Sequence, residues 1–295
     1  MTERGQKLDG KVVSAKIREE ITREVHKRAK EGRKPGLALV LVGDDPASKV
    51  YVNMKQKACE ETGILSRIDR MPADSTQEQV LQRVREINAD PDYHGLLVQS
   101  PLPDALDEDE VVRAIKPEKD VDGFHPYNVG LLALNQPLFI PCTPLGIIEI
   151  LKHYELDPSG KNVVVIGRSH LVGMPVSLLL ARKAEWANAT VTICHSRTQN
   201  IGEITRSADI LIVAIGSAEF VTAEMVKEDA VVIDVGMNRV DDASKKRGYR
   251  LVGDVAYSEV REKASWITPV PGGVGPMTVA LLLKNTLLAE ELMRT

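Results

Sequence analysis

Apolar and polar residues follow two rhythms along this chain, and the changes from one to the other mark its elements. Val13, Ile17, Ile21 and Val25 recur every fourth residue among charges, which predicts an amphipathic helix ending near Gly32. Leu37–Val42 is a continuous apolar run of strand length, and Asp45-Pro46 then supply an N-cap and a first-turn proline for a helix to Thr62. Ile64–Met71 predicts a second strand, Ser75-x-x-Glu78 a capping box opening a helix to Asn88, and Gly95–Gln99 a third strand stopped by Pro101 and Pro103. Near residue 140 the pattern changes: Phe139–Cys142 is extended, and Thr143-Pro144 opens a helix to Glu155. The alternation then restarts with strands over Val163–Ile166, Thr190–Cys194, Ile210–Ile215 and Val231–Val235, separated by helices over Val172–Arg182 and near Ile201–Arg206. A long helix, Met277–Met293, apolar on one side, closes the chain.

Strands alternating with helices predict parallel sheets covered on both faces, so the fold class is α/β with two open α/β domains. The expected boundaries are 1–140, joined by the C-terminal helix 276–295, and 141–275, with the final helix returning to the first domain. A length of 295 residues suits two cores rather than one. Composition narrows the class further: apolar and charged fractions are globular, and a net charge of −4 gives no general attraction for nucleic acid or an anionic membrane. Cys59, Cys142 and Cys194 are far apart and in no C-x-x-C spacing, which argues against a disulfide framework or a zinc site and predicts no metal. Residues 1–10 carry no apolar signal region, and no run nears the roughly 18 apolar residues of a membrane span. A cytoplasmic location is expected.

Val163–Ile166 followed by Gly167-Arg168-Ser169 and then Gly173-Met174-Pro175 reads as a buried strand, a glycine turn and a helix start. Gly167 permits the tight turn and Gly173 close helix packing, and the positive helix end attracts phosphate oxygens, which suits the pyrophosphate of a dinucleotide. The pattern departs from G-x-G-x-x-G, and an ordinary strand–helix turn is the alternative. The next strand ends in Cys194-His195-Ser196-Arg197-Thr198, where an NAD-preferring fold would place an acid for the ribose hydroxyls. His195, Ser196 and Arg197, with Arg168 as a second cation, favour NADP and its 2′-phosphate, against the alternative of a basic surface loop. The matching turn of the first half, Gly43-Asp44-Asp45, carries two carboxylates that repel phosphate, so that half is expected to hold the other substrate.

On the helix after Pro46, Ser48, Tyr51 and Lys55 stand at i, i+3 and i+7 and share one face. Gln99 ends the third strand, where open α/β sheets place ligands, and Asp122 lies on the glycine-bearing turn Lys119-Asp120-Val121-Asp122-Gly123. Singly, each has a plainer reading: a solvated lysine, a packing tyrosine, a strand-end amide, a turn-forming aspartate.

Together with Pro271-Gly272-Gly273-Val274-Gly275-Pro276-Met277-Thr278, these segments resemble the bifunctional methylenetetrahydrofolate dehydrogenase/methenyltetrahydrofolate cyclohydrolase family over nearly the whole chain. The resemblance implies NADP-dependent oxidation of methylenetetrahydrofolate and hydrolysis of the methenyl product to formyltetrahydrofolate, in one-carbon metabolism serving purine biosynthesis. It implies Lys55 as acid and base of the hydrolysis, Gln99 as its partner, Tyr51 as a stacking platform and Asp122 as the pterin anchor. Ser48, Pro271 and Gly272 are implied beside the folate, and Gly273, Val274 and Thr278 beside the cofactor, with the site in an interdomain cleft. A homodimer through the cofactor domain is also implied. One departure stands out: Arg182–Asn188, before the second strand of the second half, looks longer than in many relatives, which bears on cofactor preference. The rival readings are another two-domain dehydrogenase, such as one acting on a hydroxy acid, and a non-catalytic nucleotide-binding module.

Overall fold

The computed structural model describes residues 4–245 and 248–294, and the chain divides into two compact units. The first unit comprises Ala15–Cys142 with Val279–Thr295, and the second comprises residues up to Ser14 with Thr143–Thr278. The last helix therefore belongs mostly with the first unit. Residues 1–14, expected with the first domain, group with the second, because the strand Gln6–Lys7 pairs in parallel with Trp266–Ile267. Two paired residues in a polar stretch leave no periodic signal to read.

In the first unit the buried strand Gly36–Val42 lies between Leu65–Met71 and Gly95–Val98, all parallel. Sequence order thus reverses across the central strand, and the carboxyl ends on either side of the reversal open a crevice of the kind that holds ligands in such sheets. The helix Pro46–Thr62 starts there, with Asp45 accepting from the Ser48 amide at 2.7 Å as its N-cap. The next helix, Gln77–Ala89, is capped by a Thr76–Gln79 box, one residue later than expected. Ser75 instead closes a turn, donating its hydroxyl to the Pro72 carbonyl at 2.7 Å. Val40, Val80, Val84, Ile87, Leu96 and Val111 meet in the core beneath.

Two loops depend on buried charge. Lys119, 1% exposed, donates Nζ to the Ile87 and Asp90 carbonyls at 3.0 and 2.7 Å and so satisfies the carboxyl end of helix Gln77–Ala89. Asp120, 2% exposed, accepts from the amides of Gly123, Phe124 and His125 and from Asn128 Nδ2.

The second unit carries a six-stranded parallel sheet in the order Gln6–Lys7, Trp266–Ile267, Val231–Asp234, Ile210–Val213, Asn162–Ile166, Thr190–Cys194. Its order reverses at Asn162–Ile166, placing Gly167 at a second switch point. An antiparallel hairpin, Asn238–Asp241 with Tyr249–Val252, was not foreseen. Its charged residues Arg239, Asp241 and Arg250 are exposed and alternate with half-buried neighbours over only four residues per strand, too short a period to announce it, and the Arg239 guanidinium stacks 4.0 Å from the Tyr249 ring centre.

The final helix, Gly275–Leu292, is held in the first unit by an ion cluster. Glu290, 3% exposed, meets Arg28 NH1 at 2.6 Å and Arg33 NH2 at 2.5 Å, and Arg28 also donates to the Leu287 carbonyl. Removing Glu290 would strand Arg28, itself 5% exposed, without its nearest counter-charge. Because Glu24 and Glu291 still flank Arg28 and Glu31 still flanks Arg33, Glu290→Ala is expected to destabilise the fold by about 1.5–3 kcal/mol, read by urea unfolding, with the paired Arg28→Met/Glu290→Leu variant recovering most of the loss. A single variant as stable as the parent would refute this account.

Candidate functional site

The first switch point gathers the residues that the sequence marked. Lys55 lies nearly three turns beyond the N-cap Asp45 on helix Pro46–Thr62, and its Nζ donates to Gln99 Oε1 at 2.9 Å. The Gln99 side chain is itself anchored, Nε2 donating to the Ser100 carbonyl at 2.7 Å, and its amide extends the sheet to the Val40 carbonyl. Ser48 is buried and fully engaged: its hydroxyl donates to the same Ser100 carbonyl at 3.4 Å. Tyr51, 36% exposed, presents its ring at the surface of that helix face. Glu108, which the sequence did not single out, holds the loop by accepting from the Ser100 hydroxyl and the Leu102 amide.

Asp122 joins this group through charge and through sulfur. Its carboxyl interacts with Lys55 and hydrogen-bonds the thiol of Cys142, whose Sγ also lies 3.7 Å from the Val121 carbonyl. Burial dominates the titration of all three. It lowers the Lys55 amine below the ordinary lysine range against the opposing pull of Asp122, raises the Asp122 carboxyl, and pushes the Cys142 thiol well up. The site thus moves the amine toward its uncharged form relative to a solvated lysine, and that is the form that can accept a proton from water.

At the second switch point the glycines have steric reasons. Gly167 has φ +122, and a Cβ there would lie 2.2 Å from the Ala214 carbonyl oxygen; a Cβ on Gly173 would lie 2.2 Å from the Gly167 carbonyl oxygen. The turn is therefore bare backbone, with the nine-residue helix Gly173–Ala181 opening beyond it and Arg168 and Ser169 exposed beside it. Ser169 takes the Val172 and Met174 amides, and the glycine turn with its positive helix end fits a dinucleotide pyrophosphate. His195 forms the next turn, its Nδ1 accepting from the Arg197 amide at 3.2 Å, which leaves Ser196 and Arg197 exposed at the end of the neighbouring strand.

Two buried aspartates organise the remaining strand ends. Asp254 accepts from the amides of Ile215, Gly216 and Ser217 and from Asn238 Nδ2, while Asp234 accepts from the amides of Gly236, Asp254 and Val255. Desolvation carries the Asp234 carboxyl up to about 7, its amide donors opposing and the neighbouring Asp254 charge assisting. Neither aspartate carries a motif of its own; Gly253 and Gly236, where a Cβ would collide with these carboxylates, are the available signal in the sequence. In the run 271–278, Gly272 has φ +112 and its carbonyl accepts from the Gly10 amide at 3.0 Å, while Gly273 packs against Thr268 and Pro269. Val274 is buried, and Thr278 donates its hydroxyl back to the Gly275 carbonyl. Among the described residues no group of acidic, histidine or cysteine side chains could hold a metal, and no helix is long and apolar enough to cross a membrane.

Residues 8–122 match the catalytic domain of the tetrahydrofolate dehydrogenase/cyclohydrolase family, and residues 141–294 match its NAD(P)-binding domain. A bifunctional protein FolD of Prosthecochloris aestuarii is 55% identical over 283 residues, covering 95% of this chain and 96% of the relative. The solved bifunctional FolD of Campylobacter jejuni superposes with TM-score 0.92 at 46% identity, covering 98% of this chain and 99% of that one. That of Trypanosoma brucei, complexed with NADP and an inhibitor, gives 0.93 at 41% identity over 99% of each chain. On the sequence of both halves and on the fold of each, the chain belongs to the tetrahydrofolate dehydrogenase/cyclohydrolase family.

Proposed function

We propose that this chain oxidises 5,10-methylenetetrahydrofolate to 5,10-methenyltetrahydrofolate with NADP and hydrolyses the product to 10-formyltetrahydrofolate. The observation that carries this reading is the Lys55–Gln99 hydrogen bond at a sheet switch point, with the Asp122 carboxyl in electrostatic contact with the same amine. Asp122 accepts paired hydrogen bonds from the pterin's amine and ring N–H, a planar recognition that a carboxylate serves well. Tyr51 offers its face to a flat ring, Ser48 fixes the loop beneath, and Pro271 and Gly272 contribute backbone close to the folate.

NADP supplies the hydride acceptor of the first step. The chain's part there is positioning: Gly167, Arg168, Ser169 and Gly173 hold the pyrophosphate, His195, Ser196 and Arg197 present the 2′-phosphate site, and Gly273, Val274 and Thr278 line the approach. In the second step water adds to the methenyl carbon while the neutral Lys55 amine takes its proton. The resulting ammonium returns that proton to the ring nitrogen as its bond to the one-carbon unit breaks, while the remaining hydroxyl proton leaves to solvent as the formyl C=O forms, so the amine ends as it began. Gln99, accepting from Nζ, aims that amine. A cationic methenyl group beside Lys55 further disfavours the ammonium, adding to the effect of burial. The three cysteines are buried free thiols, which supports a cytoplasmic, reducing location. We further infer the homodimer that the resemblance implies, which sedimentation equilibrium checks.

Lys55→Gln is expected to cut cyclohydrolase turnover by about 10²–10⁴ in a folded protein, and near-normal hydrolysis would remove the lysine from the mechanism. The sign of the pH dependence follows from burial. The base form of Lys55 persists to lower pH than that of a solvated lysine, so the acidic limb of cyclohydrolase kcat lies below the ordinary lysine range. Because the Asp122 charge holds the lysine up, Asp122→Asn at saturating folate should move that limb to still lower pH; an upward move contradicts the proposed pairing. Arg197→Ala, which removes a charge-assisted contact, should raise KM for NADP about tenfold or more and leave NAD-linked turnover unchanged, measured by absorbance of the reduced cofactor. Equal losses with both cofactors would assign the 2′-phosphate to other residues.

A further inference from the structure

The last helix contributes one side chain toward the substrate-binding loops, and its chemistry is unusual for its surroundings. Along Gly275–Leu292 the residues Ala280, Leu281, Leu282, Leu283, Leu287 and Ala289 are buried and apolar. Two polar residues interrupt them. Thr286 satisfies itself, donating its hydroxyl to the Leu282 carbonyl one turn back. Asn285, 4% exposed, does not: its Nδ2 reaches away to the Val121 carbonyl at 2.8 Å and the Ile140 carbonyl at 3.1 Å, and lies 3.8 Å from Cys142 Sγ. Burying an amide costs free energy that a leucine here would not, so these contacts must return it.

The gripped groups all border Asp122. Val121 immediately precedes it, and Cys142 hydrogen-bonds its carboxyl. Between them Gly123, at φ +79, presses so closely on the 140–141 backbone that a Cβ would sit 2.8 Å from the Pro141 nitrogen. Asp120 fixes the other flank through the amides of Gly123, Phe124 and His125. A neutral amide is suited to this task because it offers two N–H donors to two carbonyls without adding charge. A lysine in its place would set a cation beside Asp122, and an aspartate would have no donor when ionised.

We infer that Asn285 is a positioning residue for folate recognition, fixing the Asp122 carboxyl by tying the 121–123 and 140–142 segments together. This rests on the proposed role of Asp122 as the pterin anchor. The test is a double-mutant cycle on the full-length protein, with KM for methylenetetrahydrofolate and for NADP measured in Asn285→Ala, Asp122→Asn and the double variant. Asn285→Ala should raise the folate KM about tenfold, equivalent to one lost hydrogen-bond network of about 1.4 kcal/mol, and leave the NADP KM within about twofold. In the Asp122→Asn background the same change should add little, since its route of action is already gone. Additive effects, or parallel rises in both KM values, would overturn the positioning role and leave a merely structural one. Normal folate kinetics in Asp122→Asn alone would instead overturn the role of Asp122, and this inference with it. Should Asn285→Ala fail to fold, Asn285→Leu keeps the side-chain volume and removes both donors, and an unchanged folate KM in that protein overturns the inference equally.

Discussion

An amine and a carboxyl share a poorly hydrated site at the carboxyl ends of three parallel strands, and most of the first unit can be understood as holding them there. Burial draws both toward their uncharged forms, while their mutual attraction draws them back. That balance holds the lysine below its ordinary range and so makes its amine a base at lower pH than a solvated lysine. It also demands exact placement, because a small displacement changes both solvation and attraction. Gln99 bonded to Lys55, Ser100 bonded to Gln99, and Glu108 bonded to Ser100 form one supporting line, and Asp120 with Cys142 and Asn285 form another around Asp122.

Both units obey the same rule of sheet topology and use it for opposite electrostatics. Each reverses strand order at a central strand, and each begins a helix beside the reversal. In the first unit the helix opens on Asp44 and Asp45, one paired with Lys49 at 2.6 Å and one spent as the N-cap, so its positive end is already neutralised. In the second the helix opens on glycine with no carboxylate at its start, and Ser169 takes the Val172 and Met174 amides through its hydroxyl and carbonyl. The two helix N-termini thus differ in charge, with carboxylates at the first and none at the second.

Buried carboxylates bear much of the loop structure. Asp120, Asp234 and Asp254 each accept several backbone amides in turns at strand ends, where no ladder is available to pair them. One aspartate can satisfy three or four donors, which allows irregular backbone to lie inside the fold at little cost. The adjoining glycines follow from this, since any side chain at Gly236 or Gly253 would occupy the carboxylate's place.

The alternation of apolar runs and amphipathic stripes determined the α/β class and nearly every long element, because burial of a strand on both faces or a helix on one imposes a period that survives in the sequence. Thr190–Cys194 and Pro46–Thr62 appear where that period put them. Local chemistry also placed Gly167, Gly173, Lys55 and Gln99 at strand ends and helix starts, where the glycine and cap signals are short-range. Tertiary structure alone decided that residues up to Ser14 join the second unit, that His195 serves its own turn, and that Cys142 and Asn285 converge on Asp122 from 20 and 163 positions away, as the contact of Asn285 with neighbouring Val121 spans 164. Apart from the His195 turn, those contacts are a few hydrogen bonds between segments far apart in sequence. They repeat with no period and alter no local propensity, so only the folded backbone brings them within reach.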